Sequence, residues 1–148
     1  MSELETLQFL ATLSAALFAG AAIYINVAEH PARMGLDTRS AAMQWAPSYQ
    51  RATWMQAPLA IVSFLTGVGA WFLGGGLLWL VAALFIGAVV PITFIVIMPT
   101  NQQLLAAERD LGSAETRRLL ERWGRLHGVR SIASAIATIL MLWGIFAA

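Results

Sequence analysis

The sequence predicts an all-α integral membrane protein, a bundle of four antiparallel helices with a helical extension ahead of the fourth span. Three observations predict it. Of 148 residues, 59% are hydrophobic and only 11% are charged, whereas a soluble domain carries about 25% charged residues. Mean hydropathy is +0.70, more apolar surface than a soluble core of this size can bury. Four apolar stretches, at about 7–28, 52–73, 77–98 and 129–146, approach or exceed the roughly 20 helical residues that cross a bilayer core.

The first stretch follows the leader Met1-Ser2-Glu3-Leu4-Glu5. That leader is acidic where a signal peptide is basic, and the apolar run exceeds the usual h-region, so we read a retained helix. His30-Pro31 closes this span, because a residue before proline is pushed away from the α region. The second and third stretches are separated only by Gly74-Gly75-Gly76, a tight turn between antiparallel neighbours. Pro58 and Pro91 lie inside these two spans, where each removes a backbone donor and kinks its helix. Ahead of the fourth span, Ser113 is an N-cap with Glu115 in the first turn, and a helix can run from there to Phe146. Gly124 and Gly128 are the places for a bend. There is no internal repeat, and the whole chain forms one four-span domain.

Polar residues are few and sorted. The nine basic residues are all arginine, set against eight acids for a net charge of +1. That balance excludes nucleic acid as the main partner, and the absence of cysteine excludes disulfides, thiol catalysis and cysteine-based metal sites. Every arginine falls in 29–51 or 99–130, on one side of a four-span topology, while the other side carries Glu3 and Glu5 without a basic residue. By the positive-inside rule the arginine side is cytoplasmic and both termini face outward. Trp71, Trp79 and Trp143 on one side, with Trp45, Trp54 and Trp123 on the other, suit two interfacial belts.

Candidate chemistry gathers at the arginine side, where polar groups at the hydrocarbon edge are costly and mark function. Asn26, Glu29 and His30 end the first span on roughly one helical face. Tyr49 and Gln56 open the second, Asn101 follows the third, and Trp123, His127 and Arg130 at i, i+4 and i+7 enter the fourth. Glu29, His30, Asn101, His127 and Arg130 are the catalytic candidates, with Asn26, Tyr49, Gln56 and Trp123 as substrate contacts. Glu29, His30 and His127 would suit copper, iron or zinc. Without a metal, the same groups supply a general base and oxyanion donors. As single residues they also have plainer roles, the histidines as interfacial anchors and Glu29 as the partner of a rim arginine.

The run Ala19-Gly20-Ala21-Ala22-Ile23-Tyr24-Ile25-Asn26-Val27-Ala28-Glu29-His30-Pro31-Ala32-Arg33, then Pro99-Thr100-Asn101-Gln102-Gln103-Leu104, then Arg122-Trp123-Gly124-Arg125-Leu126-His127-Gly128-Val129-Arg130-Ser131, resembles the small four-helix membrane proteins of the anthrone-oxygenase-like family. Many of its relatives form a domain of unknown function. The resemblance covers nearly the whole chain, including the spacing of the blocks. It implies an oxygenase that converts anthrones to anthraquinones, and it carries the motif onto Glu29, His30, Pro31, Asn101, Trp123, His127 and Arg130. It specifies no metal.

The expectation is therefore a membrane oxidoreductase acting on a hydrophobic aromatic or quinone-like molecule that arrives through membrane lipid. The alternatives are a haem- or metal-binding electron-transfer module ligated by His30 and His127, and a non-catalytic membrane subunit. A homo-oligomer is left open. Since the chain has no cysteine, Ala107→Cys and Ala147→Cys each report one side of the membrane. With an impermeant maleimide on intact cells, Ala147→Cys is expected to label at once and Ala107→Cys only after permeabilisation. The opposite pattern would invert the topology.

Overall fold

The computed structural model describes residues 1–147, and its long elements are four helices: α1 Glu3–Met34, α2 Thr38–Gly75, α3 Leu77–Leu104 and α4 Ala114–Phe146. Each packs on the next in chain order and α4 closes back on α1, giving an up-and-down bundle of a multi-pass membrane protein. All four are long and apolar enough to cross a bilayer, and each extends beyond the stretch that composition alone marks.

The ends explain the extra length. Ser2 and Glu5 form a reciprocal capping box at the start of α1, the Glu5 amide donating to Ser2 Oγ at 3.2 Å and the Ser2 amide to the Glu5 carboxylate at 2.7 Å. Pro31 does not close α1, contrary to the expectation above. A π turn over Ile25–Glu29 precedes it, the His30 N–H reaching back to Ile25 O, and the helix resumes over His30–Met34 with proline in its first turn. A proline there forfeits no hydrogen bond that the wide turn had not already rearranged. The same device recurs on α3, where a π turn over Thr93–Ile97 precedes Met98-Pro99 and the helix resumes to Leu104. Both turns lie at the arginine-bearing end of the bundle.

Asp37 caps α2, accepting from the Ser40 hydroxyl at 2.6 Å and the Ser40 amide at 3.0 Å. These bonds hold its carboxyl below the ordinary aspartate range. Gly74 and Gly76 take φ of 91° and 92°, the left-handed region that makes the glycine turn possible. Ser113 caps α4 through the Thr116 amide at 3.1 Å, and the helix continues through Gly124 and Gly128 to Phe146.

Many interior positions along the bundle hold alanine, and many large apolar side chains face outward. Ala11, Ala15, Ala22, Ala82, Ala83 and Ala137 are fully buried, while Leu17, Leu65, Phe94, Ile95, Ile132 and Ile139 point outward. Small side chains let helix axes approach, and packing of this kind supplies the association energy that hydrophobic burial cannot supply in lipid. Polar seam contacts add to it: the Ser63 hydroxyl donates to Ala11 O at 2.8 Å.

The tryptophans divide. Trp54 and Trp143 are exposed, as interfacial anchors should be, but Trp45, Trp79 and Trp123 are buried core residues. The space they fill explains the difference. Trp79 lies against Gly75 and Gly144, and Trp45 and Trp123 pack edge to face with centroids 5.9 Å apart.

Candidate active site

At the arginine-bearing end, the π turn of α1 and the turn after it carry Asn26, Glu29, His30 and Arg33. Arg33 is only 3% exposed and is satisfied on every side. Its Nη2 donates to Glu29 Oε1 at 2.9 Å and to Ser48 Oγ at 3.3 Å, and its Nε donates to Gln44 Oε1. Its Nη1 donates to His30 Nδ1 at 2.8 Å. Ser48 also donates to Glu29 Oε1, as does Gln44 Nε2 at 3.4 Å. This knot ties α1 to α2.

It also fixes the His30 tautomer. A guanidinium has only donors, so His30 Nδ1 is the acceptor and the ring proton sits on Nε2, which donates to Leu120 O at 3.0 Å. Both nitrogens are occupied. The ring lies against Gly124 of α4, where a Cβ would come within 2.6 Å of it.

His127 is held in the opposite tautomer. Asn26 Nδ2 donates to Gly124 O at 2.9 Å, which sets the orientation of the amide. Its Oδ1 then accepts from the Ser131 hydroxyl at 2.6 Å and from His127 Nδ1 at 2.7 Å. The ring proton is therefore on Nδ1, leaving the Nε2 lone pair uncommitted. Trp123 stacks on His127 with centroids 4.9 Å apart and meets His30 at 5.1 Å, with the Arg33 guanidinium 5.7 Å from its ring.

His127 lines a small polar cell together with Tyr49, Gln56, Trp123 and Arg130. Its free volume of about 10 Å³ is near the lower limit for one water molecule. Gln56 Oε1 accepts from Arg130 Nη2 at 2.9 Å. Gln56 Nε2, Trp123 Nε1 and Arg130 Nε are buried without a partner. Such orphaned donors are rare in folded proteins and call for an oxygen or an anion. Gln56 also borders a 630 Å³ groove between α1 and α2, and Tyr49 and Arg130 border a 310 Å³ cavity between α2 and α3. The cell sits between the two.

Of the residues expected from sequence, Tyr49, Gln56, Trp123, His127 and Arg130 line the cell, and Asn26 stands behind His127. His30 and Glu29 belong to the knot beside it. Asn101 is fully buried with both amide atoms unpartnered, yet it lines neither the cell nor its two flanking cavities. Among the described residues no group of three or more histidine and acidic side chains is placed to hold a metal. The occupied nitrogens of His30 do not fit a ligand set of Glu29, His30 and His127, or a His30–His127 pair on one haem iron.

Sequence reasoning passed over Arg33, Gln44, Ser48, Ser131 and the spatial role of Gly124. For Arg33 a signal was present, since it stands four residues after Glu29 and three after His30. The contribution of α2 through Gln44 and Ser48 had no local signal.

The chain matches the anthrone oxygenase family over residues 45–140. It is 39% identical over 72 residues to anthrone oxygenase tpcL of Aspergillus fumigatus, covering 47% of this chain and 45% of that one. It is 30% identical over 127 residues to anthrone oxygenase ptaC of Pestalotiopsis fici, covering 73% of this chain and 86% of that one. No solved structure matches.

The two glycines of α4 near the site should respond differently to alanine. At Gly124 a Cβ would collide with the doubly tethered His30 ring, whereas at Gly128 it would meet only Asn26 Nδ2 at an ordinary 3.9 Å. Gly124→Ala is expected to lose about 1–3 kcal/mol through overpacking, and Gly128→Ala to be neutral or to gain up to about 1 kcal/mol of helix propensity. Denaturant titration in detergent measures both. Equal effects would contradict the placement of His30.

Proposed function

The chain belongs to the anthrone oxygenase family, and from that premise we propose that it is a membrane-embedded oxygenase acting on a hydrophobic aromatic ketone or phenol at the His127 cell. One observation carries the proposal. His127 is 1% exposed, its Nδ1 hydrogen is spent on Asn26, and it lines a cell with Gln56, Trp123 and Arg130, each of which carries a buried N–H donor without a partner. A buried neutral imidazole beside oriented donors suits proton abstraction with charge developing on a nearby oxygen.

An anthrone is a ketone with an acidic methylene flanked by two aryl rings. Removing one methylene proton gives an enolate whose charge rests largely on oxygen and which is electron-rich toward dioxygen. Over the whole reaction the methylene becomes a carbonyl: one atom of dioxygen enters the product, and the other leaves as water with the two hydrogens. His127 accepts the proton. Arg130, Gln56 Nε2 and Trp123 Nε1 stabilise the oxygen that gains charge. The cell is too small for a ring system, so the aromatic body occupies the adjoining 310 Å³ cavity, a volume within the usual range for small-molecule sites. Asn26 and Ser131 are positioning residues for His127, while the Glu29–Arg33–His30 knot supports Trp123. The arginine-bearing end lies on the cytoplasmic side, a placement supported by the distribution of arginine.

Anthrone oxidation by the protein in nanodiscs, followed by oxygen uptake and quinone absorbance, tests this function. His127→Ala is expected to lower kcat by about 10²–10⁴-fold, the usual contribution of a general base. Asn26→Leu should lower kcat with little change in KM, because it frees the imidazole to rotate and change tautomer. Undiminished turnover in His127→Ala would remove the proposed base.

A further inference from the structure

Arg130 is the only arginine at the cell, and its charge is unanswered. Its recorded hydrogen bond goes to a neutral amide oxygen, its Nε is buried without a partner, and it forms no ion pair among the described residues. Its guanidinium carbon stands 5.3 Å from the Phe18 ring centroid. A cation so placed at membrane depth favours an anion beside it, and among the described residues no carboxylate pairs with it.

The space in front of Arg130 is elongated. The 310 Å³ cavity that it borders shares Ala60, Ile61 and Val90 with a second, 520 Å³ cavity along the same α2–α3 seam. The combined furrow follows α3 from Met98 back to Leu84, about 20 Å at roughly 1.5 Å per helical residue. Its polar groups, Arg130, Tyr49 and Thr53 among them, gather at the inner end, whereas the outer part is bounded by apolar side chains such as Phe64, Leu65 and Leu84. A fused ring system fits the inner cavity and leaves the outer one empty.

We propose that the substrate is an ionisable amphiphile: an aromatic ring whose oxygen, as it takes up charge on loss of the proton, pairs with Arg130, carrying an aliphatic tail that runs outward along the α2–α3 furrow toward Leu84. This deepens, and rests on, the function proposed above. Charge complementarity sets the head and the length of the furrow sets the tail. The open side of the seam gives such a molecule lateral access from the bilayer.

A series of 4-alkyl-2-nitrophenols with butyl, octyl and dodecyl tails tests both halves, because binding and ionisation are read from the same visible absorbance. With the full chain in nanodiscs and protein-free nanodiscs as the partition control, the bound probe is expected to ionise at a pH where the free probe is neutral. Arg130→Gln should abolish that ionisation. After the partition correction, affinity should rise at least about tenfold from butyl to dodecyl. Ala88→Trp, which fills the outer cavity, should remove this gain, and so should Leu65→Trp on the opposite wall, where the native side chain is already 60% exposed and the fold has little to lose. Failure of the probe to ionise would overturn both the Arg130 anchor and this inference. Ionisation with tail-independent affinity, or a tail gain that survives both tryptophan variants, would overturn this inference alone and leave the anchor standing.

Discussion

The side-chain amide of Asn26 is the contact on which the site depends. It bridges α1 and α4, and every bond it makes constrains another. Donation to Gly124 O fixes which way the amide points, so its oxygen must face Ser131 and His127. The His127 proton is then held on Nδ1 and its lone pair on Nε2. Two turns further along α1, Arg33 imposes the opposite outcome on His30 by donating to Nδ1. The two imidazoles flank one indole and are divided by these partners, one fully bonded into the scaffold and the other left with a basic nitrogen.

The backbone makes this possible through two matched irregularities. The π turns on α1 and α3 each precede an X-Pro pair at the arginine-bearing end. A wide turn shifts the register of everything beyond it, and proline then restarts the helix without an unmet amide. On α1 this places Asn26, Glu29, His30 and Arg33 at the seams with α2 and α4. Close approach there requires Gly124, whose missing side chain is the space occupied by the His30 ring. Along the rest of the bundle, buried alanines serve the same end, and many of the large apolar side chains are left for lipid.

Much of this was legible in the sequence because lipid enforces it. Four spans follow from apolar run length, and the Ser113 cap and the glycine turn follow from local chemistry. Clustering of Asn26, Tyr49, Gln56, Trp123, His127 and Arg130 was readable from their shared depth. The rest depended on contacts that no local pattern encodes. Pro31 looks like a terminator until the π turn is seen to absorb it. Trp45, Trp79 and Trp123 have the composition of an interfacial belt, but glycines and rings on other helices draw them inward. Asn101 shares the depth of the site without reaching it, because depth fixes position along a helix and not the face it presents. The pairing of Arg33 with His30 Nδ1 is a matter of single atoms, and it decides which histidine is free for chemistry.

The central claim is that the two histidines are neutral and of opposite tautomers. The chain contains only these two, so ¹⁵N nuclear magnetic resonance of histidine-labelled protein in liposomes reads them without crowding, with His127→Gln to assign the signals. At neutral pH the account predicts one ring protonated at Nε2, which persists in His127→Gln, and one protonated at Nδ1, which disappears. Two Nε2-protonated rings, or an imidazolium at either position, would contradict it.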